Sequence, residues 1–200
     1  MGVDKHTIRH QVRAKRKVLP EDVVRAASAA VCRHAAALPA YRVAASVTAY
    51  VASENEIAAA SLVEDAAASG RPLFLPRMFD QPAFVRWLPG QPLACGRFGV
   101  LEPAQGEPEL PETPAIAFLP VVAWDRSGTR LGRGGGFFDR LLARLQPIPL
   151  CVGLAYEFQE IAELPRDPWD VPVQFVITEK GIVRCAAADG RDFSEKGGRQ

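Results

Sequence analysis

Between Trp124 and Arg140 the chain reads WDRSGTRLGRGGGFFDR, and no other stretch restricts the fold as tightly. Gly128, Gly132, Gly134, Gly135 and Gly136 put five of the 16 glycines into nine positions, where even spreading would place about 0.7. So glycine-rich a run is a poor helix or strand interior, so it connects two elements. Before it, residues 116–122 form an apolar run of strand length. After it, Phe137, Phe138, Leu141, Leu142 and Leu145 recur on one helical face. A strand that feeds a glycine-rich loop and then a helix aims backbone N–H groups and the positive helix end at one point, which suits a phosphate. Arg130 and Arg133 add two fixed charges. No Gly-Lys-Ser or Gly-Lys-Thr is present, so this is not the standard P-loop, and Phe137 stands where the dinucleotide fingerprint needs its last glycine. Taken alone, the loop reads as an anion site or as a flexible connection.

Strand and helix patterns alternate on both sides of this loop. Over residues 5–19, Ile8, Val12 and Leu19 keep a helical period, with Lys5, Arg9 and Arg13 four residues apart on a neighbouring face. Pro20, Glu21 and Asp22 open a second helix that runs to residue 38. Residues 45–51 read as a strand, 57–69 as a helix closed by Gly70, and 72–76 with 83–88 as an antiparallel pair. Residues 89–114 are proline-rich and aperiodic, a surface segment or lid. Residues 149–155 form another strand and 158–164 a short helical piece. Residues 173–178 with 182–185 form a terminal hairpin. The pattern, without internal repeats, predicts an α/β sheet with helices on both faces, one domain over residues 1–188 and a flexible tail over 189–200.

Composition bounds the function. Hydrophobic residues make up 48% and charged residues 24%, which excludes disordered, collagen-like and coiled-coil classes. Lys plus Arg number 24 against 23 Asp plus Glu, a net charge of +1. No global field draws nucleic acid or anionic membrane, and any anion site is local. No run approaches the roughly 18 apolar residues of a membrane span. The start lacks the apolar core of a secretory signal, and Thr7 lies one position late for myristoylation of Gly2. Cys32, Cys95, Cys151 and Cys185 lack Cys-x-x-Cys or zinc-finger spacing, so they read as small core residues of a reduced cytoplasmic protein.

The remaining candidates each have a plain reading beside a sharper one. Asp139 complements the first turn of its helix, or binds magnesium beside a phosphate. Glu56, in the turn SENEI, caps the helix after it or accepts hydrogen bonds from a ligand at a strand end. Asp170, in DPWDVP, is a turn former or a metal ligand. Lys5 and Arg9 form a solvated helix face unless a ligand meets them. His6, His10 and His34 have no catalytic pairing, and no Gly-x-Ser-x-Gly marks a nucleophile.

Together, K-H-T-I-R, YVASENEI, FLPRM, RFGVLEP, RLGRGGGFFDR, GLAYEFQ and DPWDVPVQFVITE resemble, in order and spacing, the 5-formyltetrahydrofolate cyclo-ligase family over residues 4–180. The resemblance implies a three-layer α/β/α sandwich like that of sugar-phosphate isomerases and CoA transferases. It also implies ATP-driven conversion of 5-formyltetrahydrofolate to 5,10-methenyltetrahydrofolate by a cytoplasmic monomer without nucleic-acid or membrane partners. The nucleotide would meet Lys5, His6, Thr7, Ile8 and Arg9 of the first helix, and Arg130, Leu131, Gly132, Arg133, Gly134, Gly135, Gly136, Phe137 and Phe138 of the loop. Lys5, Arg130 and Arg133 would carry the catalysis, and Asp139 and Asp170 would hold Mg²⁺. Val51 and Glu56 would bind folate together with Arg133, Gly134, Gly135, Gly136 and Phe137, with Phe98, Trp87 and Tyr156 as either apolar walls or core residues. Lys5, Arg9, Arg130 and Arg133 would make a local positive site.

Two positions depart from the family pattern: Gln174 stands where many relatives carry Asp, and Val121 where Gly is frequent, both expected beside the site. Two other readings remain. A phosphate-binding isomerase or transferase on the same fold would work without ATP hydrolysis. An RNA- or folate-binding module is suggested only by the basic first helix.

Overall fold

The computed structural model describes residues 4–97, 99–113 and 115–186. Phe98 and the tail expected over 189–200 lie outside them. Helix α1 (Lys5–Lys17) starts at Asp4, whose carboxylate accepts hydrogen bonds from the His6 and Thr7 N–H groups. Helix α2 (Glu21–Ala37) begins after Pro20 with two carboxylates in its first turn, as its sequence predicts. A one-turn helix that the pattern does not reveal, α3 (Pro39–Val43), leads into strand β1 (Ser46–Thr48). Helix α4 (Ala60–Ala68) then connects to strand β2 (Leu73–Met78), and strand β3 (Pro82–Arg86) returns antiparallel to it.

The proline-rich segment is not structureless. It folds a hairpin of β4 (Leu93–Cys95) and β5 (Leu101–Pro103), which corrects its reading as aperiodic, while its described residues stay mostly at the surface. Strand β6 (Ala115–Pro120) precedes the glycine loop, and the loop's first half is itself a hairpin of β7 (Ala123–Trp124) and β8 (Arg130–Leu131). Gly128 occupies that hairpin's turn at φ +93°. The buried Asp125 organises the turn by accepting the N–H groups of Ser127 and Thr129 on one oxygen and that of Leu164 on the other. Helix α5 (Phe137–Ala143), strand β9 (Leu150–Leu154), a 3-10 turn at Glu157–Gln159, strand β10 (Phe175–Thr178) and strand β11 (Gly181–Arg184) complete the described chain. The helical piece expected over 158–164 shrinks to that single turn, whereas the terminal hairpin forms as predicted.

Seven strands make one sheet in the order β11-β10-β9-β6-β1-β2-β3, parallel except at its two antiparallel edges. Side chains alternate between two cores. Leu73, Leu75, Ile116 and Phe118 face the layer of α2, α3 and α4, while Phe74, Ala117 and Leu119 face α5. Burial on both sides explains why AIAFLP is apolar throughout. Helix α1 joins neither layer. Its Ile8 and Val12 pack with Val122, Ala123, Leu131 and Leu164 beyond the carboxyl ends of the strands.

From β1 the chain winds toward β2 and β3, and from β6 it winds the other way, toward β9 and β10. The carboxyl ends of β1 and β6 therefore form the switch point at which an open α/β sheet leaves a crevice. Among the described residues no helix is long and apolar enough to cross a membrane.

Candidate active site

A cavity of about 550 Å³ occupies this switch point. Tyr50, Val51, Glu54 and Glu56 reach it from the end of β1, Pro76 from β2, Pro120 and Val122 from the end of β6, and Val100, Leu101 and Glu102 from the β4–β5 hairpin. The glycine loop from Gly132 to Gly136 lines it and α1 supplies Lys5, Arg9 and Arg13, three residues on one helical face.

The cations at the cavity are already answered by carboxylates or carbonyls. Lys5 Nζ lies 2.7 Å from Asp167 Oδ2 and 2.9 Å from Asp170 Oδ2. Burial alone would lower the Lys5 pKa, but the two carboxylates outweigh it and hold the ammonium above its usual range. Burial pushes the Asp170 carboxyl up, while the Asp167 N–H and Lys5 outweigh that and bring it below the usual carboxylate value. Arg9 Nε donates to the Gly132 carbonyl at 2.9 Å. Arg13 forms a fork on Glu54, with contacts of 2.8 and 3.1 Å, and holds that carboxyl low.

Glu56, only 5% exposed, accepts the Ser53 N–H at 3.1 Å on one oxygen and Arg133 Nε at 3.1 Å on the other. Arg133 also donates to Ser53 Oγ. Helix α4 begins only at Ala60, so Glu56 does not cap it. On the far side of the loop, Arg130 Nη2 donates to Asp139 Oδ1 at 2.8 Å, and the same oxygen accepts the Val171 N–H. Gly134 and Gly136 take φ values of +110° and +57°, which side-chain-bearing residues seldom adopt. This left-handed turn carries the chain from Arg133 into α5.

Five cationic and six acidic side chains line the cavity, so the local positive site expected from sequence is instead a set of paired charges. Among the described residues no three His, Cys, Asp or Glu side chains form a metal cluster by themselves. A magnesium ion on a nucleotide needs only one or two carboxylates beside phosphate oxygens. Asp139 and Asp170 fit that role, because Asp139 Oδ2 and Asp170 Oδ1 make no hydrogen bond or ion pair among the described residues.

A sequence model of the 5-formyltetrahydrofolate cyclo-ligase family matches residues 1–179. The chain belongs to that family. It is 35% identical over 176 residues to the 5-formyltetrahydrofolate cyclo-ligase of Haemophilus influenzae, covering 83% of this chain and 92% of that one. It is 33% identical over 149 residues to the cyclo-ligase of Mycolicibacterium smegmatis, covering 68% and 75%. The NMR structure of 5,10-methenyltetrahydrofolate synthetase from Aquifex aeolicus superposes with a TM-score of 0.78 at 34% identity, covering 96% of this chain and 97% of that one. The Mycoplasma pneumoniae 5,10-methenyltetrahydrofolate synthetase shares the fold at a TM-score of 0.71 and 21% identity, over 88% and 99% of the two chains.

The sites expected of a cyclo-ligase gather unevenly. Lys5, Arg9, Val51, Glu56, Asp139, Asp170 and the loop from Arg130 to Phe138 line the cavity. His6, Thr7 and Ile8 do not. His6 is exposed, Thr7 Oγ1 donates to Asp4, and Ile8 is buried in the packing of α1. Trp87 packs partly buried against the core, and Tyr156 is buried with its hydroxyl donating to the Asn55 carbonyl, so both take the core reading and not that of a pocket wall. Gln174 also stands back from the cavity. It is buried and bonds the Cys151 N–H and the Pro172 carbonyl. Cys95 is exposed, unlike the buried Cys32, Cys151 and Cys185.

Sequence reasoning missed Asp167, Trp169, Glu54 and Arg13, all of which line the cavity. The four-residue spacing that singled out Lys5 and Arg9 also contained Arg13, and DPWD contained the other two beside Asp170.

Proposed function

We propose that the chain uses ATP and Mg²⁺ to cyclise 5-formyltetrahydrofolate to 5,10-methenyltetrahydrofolate, releasing ADP and phosphate. The observation that carries this reading is the bridge made by the glycine loop. One segment supplies Arg130 beside Asp139 at one end of the cavity and Arg133 on Glu56 at the other. A nucleotide and a folate held at these two ends would meet across the loop.

A formamide oxygen is a poor leaving group, so the amide must be activated before the ring can close. The formyl oxygen attacks the terminal phosphorus of ATP, the bond to the bridging oxygen breaks, and ADP leaves with that electron pair. The second folate nitrogen then attacks the formyl carbon and loses its proton to solvent. Cleavage of the carbon–oxygen bond releases phosphate and leaves the methenyl bridge. The protein's work is to align and neutralise. Lys5, Arg9, Arg130 and the loop N–H groups bind phosphate oxygens. Arg133 stabilises charge on the phosphoryl group in transfer. Glu56 accepts hydrogen bonds from the pterin, and Val51, Leu101 and Phe137 cover its faces.

Asp139 and Asp170 would hold Mg²⁺, which supplies charge neutralisation at the phosphates. Their pairing with Arg130 and Lys5 supports an exchange in which the cations turn to phosphate as the carboxylates turn to the metal. Both substrates are small and soluble, and the described cysteines are unbridged. These features support a protein that acts in the cytoplasm. The balanced charge lining favours this pair of small molecules over nucleic acid.

The test is the absorbance of the methenyl product formed by purified protein with 5-formyltetrahydrofolate and MgATP. Product is expected, and it should vanish when ATP is omitted or Mg²⁺ is chelated. Absence of product in the complete mixture would overturn the proposal.

A further inference from the structure

Two guanidinium groups converge on Glu56, and they differ in freedom. Arg133 is 31% exposed in its side chain and sits between Gly132 and Gly134 of the loop. Arg16 is 1% exposed. It is fixed by Nε donating to the Glu54 carbonyl at 2.9 Å and by Nη1 donating to the Val121 carbonyl at 3.3 Å. Its last nitrogen, Nη2, has no hydrogen-bond partner among the described residues and lies 3.5 Å from Glu56 Oε1, the oxygen that accepts from Arg133. The helix that carries Arg16 is tied to the same turn, because Asn55 Nδ2 donates to the carbonyls of Arg16, Lys17 and Leu19.

A buried guanidinium with an unmet donor is costly, which makes Arg16 Nη2 a donor in want of a partner. We propose that Arg16 is a positioning residue for the folate, a fixed buried cation that holds Glu56 in place while Arg133 is its exchangeable partner. This inference rests on the assignment of Glu56 to the pterin given above. When pterin N–H donors engage Glu56, Arg133 gives up its hold and becomes free for the phosphoryl group. Glu56 would then be a buried carboxylate without a counter-charge if Arg16 were neutral. Among the described residues Arg16 and Arg133 are the cations paired with Glu56, and the nearby Glu54, 3.7 Å from Arg16 Nη2, carries the same sign as Glu56. Arg16 therefore lets folate capture and Arg133 release occur as one exchange.

The test compares wild type, Arg16→Met, Glu56→Gln and the double variant, measuring KM for 5-formyltetrahydrofolate and for MgATP separately. Removing a charged hydrogen-bond partner should raise the folate KM at least about tenfold, more than kcat falls, with the MgATP KM within about twofold. In the Glu56→Gln background, Arg16→Met should add less than about threefold. A folate KM unchanged in active Arg16→Met, or both KM values raised together, would overturn the role of Arg16. Absence of product from wild type would instead overturn the reaction reading and this inference with it. A structure of the wild-type protein with folate and a non-hydrolysable ATP analogue gives a check that no variant's folding can obscure. Arg16 Nη2 should close to hydrogen-bond distance of Glu56 with Arg133 gone from it, and Arg133 still on Glu56 would refute the exchange.

Discussion

Arg130 shows how a charge proposed to meet the nucleotide can also be structural. Its side chain is 2% exposed, its Nε has no hydrogen-bond partner among the described residues, and Asp139 is its counter-charge at 2.8 Å. Neutralising Asp139 leaves a buried cation unanswered, so Asp139→Asn should lower stability by about 3–5 kcal/mol in urea unfolding. Arg130→Met together with Asp139→Asn should recover most of that loss and no activity. Arg133 differs because it is more exposed and Arg16 remains beside Glu56. Arg133→Ala should reduce kcat/KM by about 10²- to 10³-fold while the melting temperature stays near that of wild type.

The Lys5–Asp170 pair gives a pH signature. Asp170 lies below its ordinary 3.8, so its contribution is present above that value and is lost as pH falls through the lowered value. Lys5 lies above its ordinary 10.5, so its contribution is full below that value and lost only at still higher pH. The stability difference between wild type and Lys5→Met should be flat from about pH 5 to 9 and should shrink toward pH 3. A difference that grows on acidification would contradict the pairing. These roles were partly legible in the sequence. The four-residue spacing showed a common face for Lys5, Arg9 and Arg13, but Arg16, in the run KRK, looked like any solvated charge. Its burial follows from the turn at Glu54 and Asn55, whose φ values of +50° and +57° no local pattern announces.

At the scale of elements, periodicity found the long helices and every strand of the seven-stranded sheet. It failed at the short hairpins outside that sheet. Strands β7 and β8 have two residues each, too few for alternation to register, and the prolines around β4 and β5 resemble loop punctuation. The glycine cluster was legible as a site, but Gly128 belongs to a hairpin turn and only the other four glycines line the cavity.

Strand β9 also depends on a neighbour that the sequence marked as unusual. A Cβ on Gly153 would come within 2.9 Å of Val121 Cγ2, a buried β-branched methyl that cannot swing away. Gly153→Ala should destabilise by about 1–3 kcal/mol, and adding Val121→Ala should restore part of it in thermal melts. Equal loss in the single and double variants would show that the clash lies elsewhere.

For the molecule as a whole, the α/β class followed from alternating patterns, but the place of α1 did not. Its apolar stripe predicts packing without saying against what, and it seals the switch point instead of joining either helical layer. That placement carries Lys5 and Arg9 more than 120 residues along the chain to meet the glycine loop and Asp170. The site is thus assembled from both ends of the chain around a sheet whose two halves wind apart. In the proposed reaction this assembly couples ATP cleavage to ring closure. The measurement that tests it most directly is the ratio of ADP released to methenyltetrahydrofolate formed by purified protein in MgATP. One ADP per product molecule is expected, and none without folate. Product formed without ADP would contradict that coupling and assign the cavity to a phosphate-binding reaction of another kind.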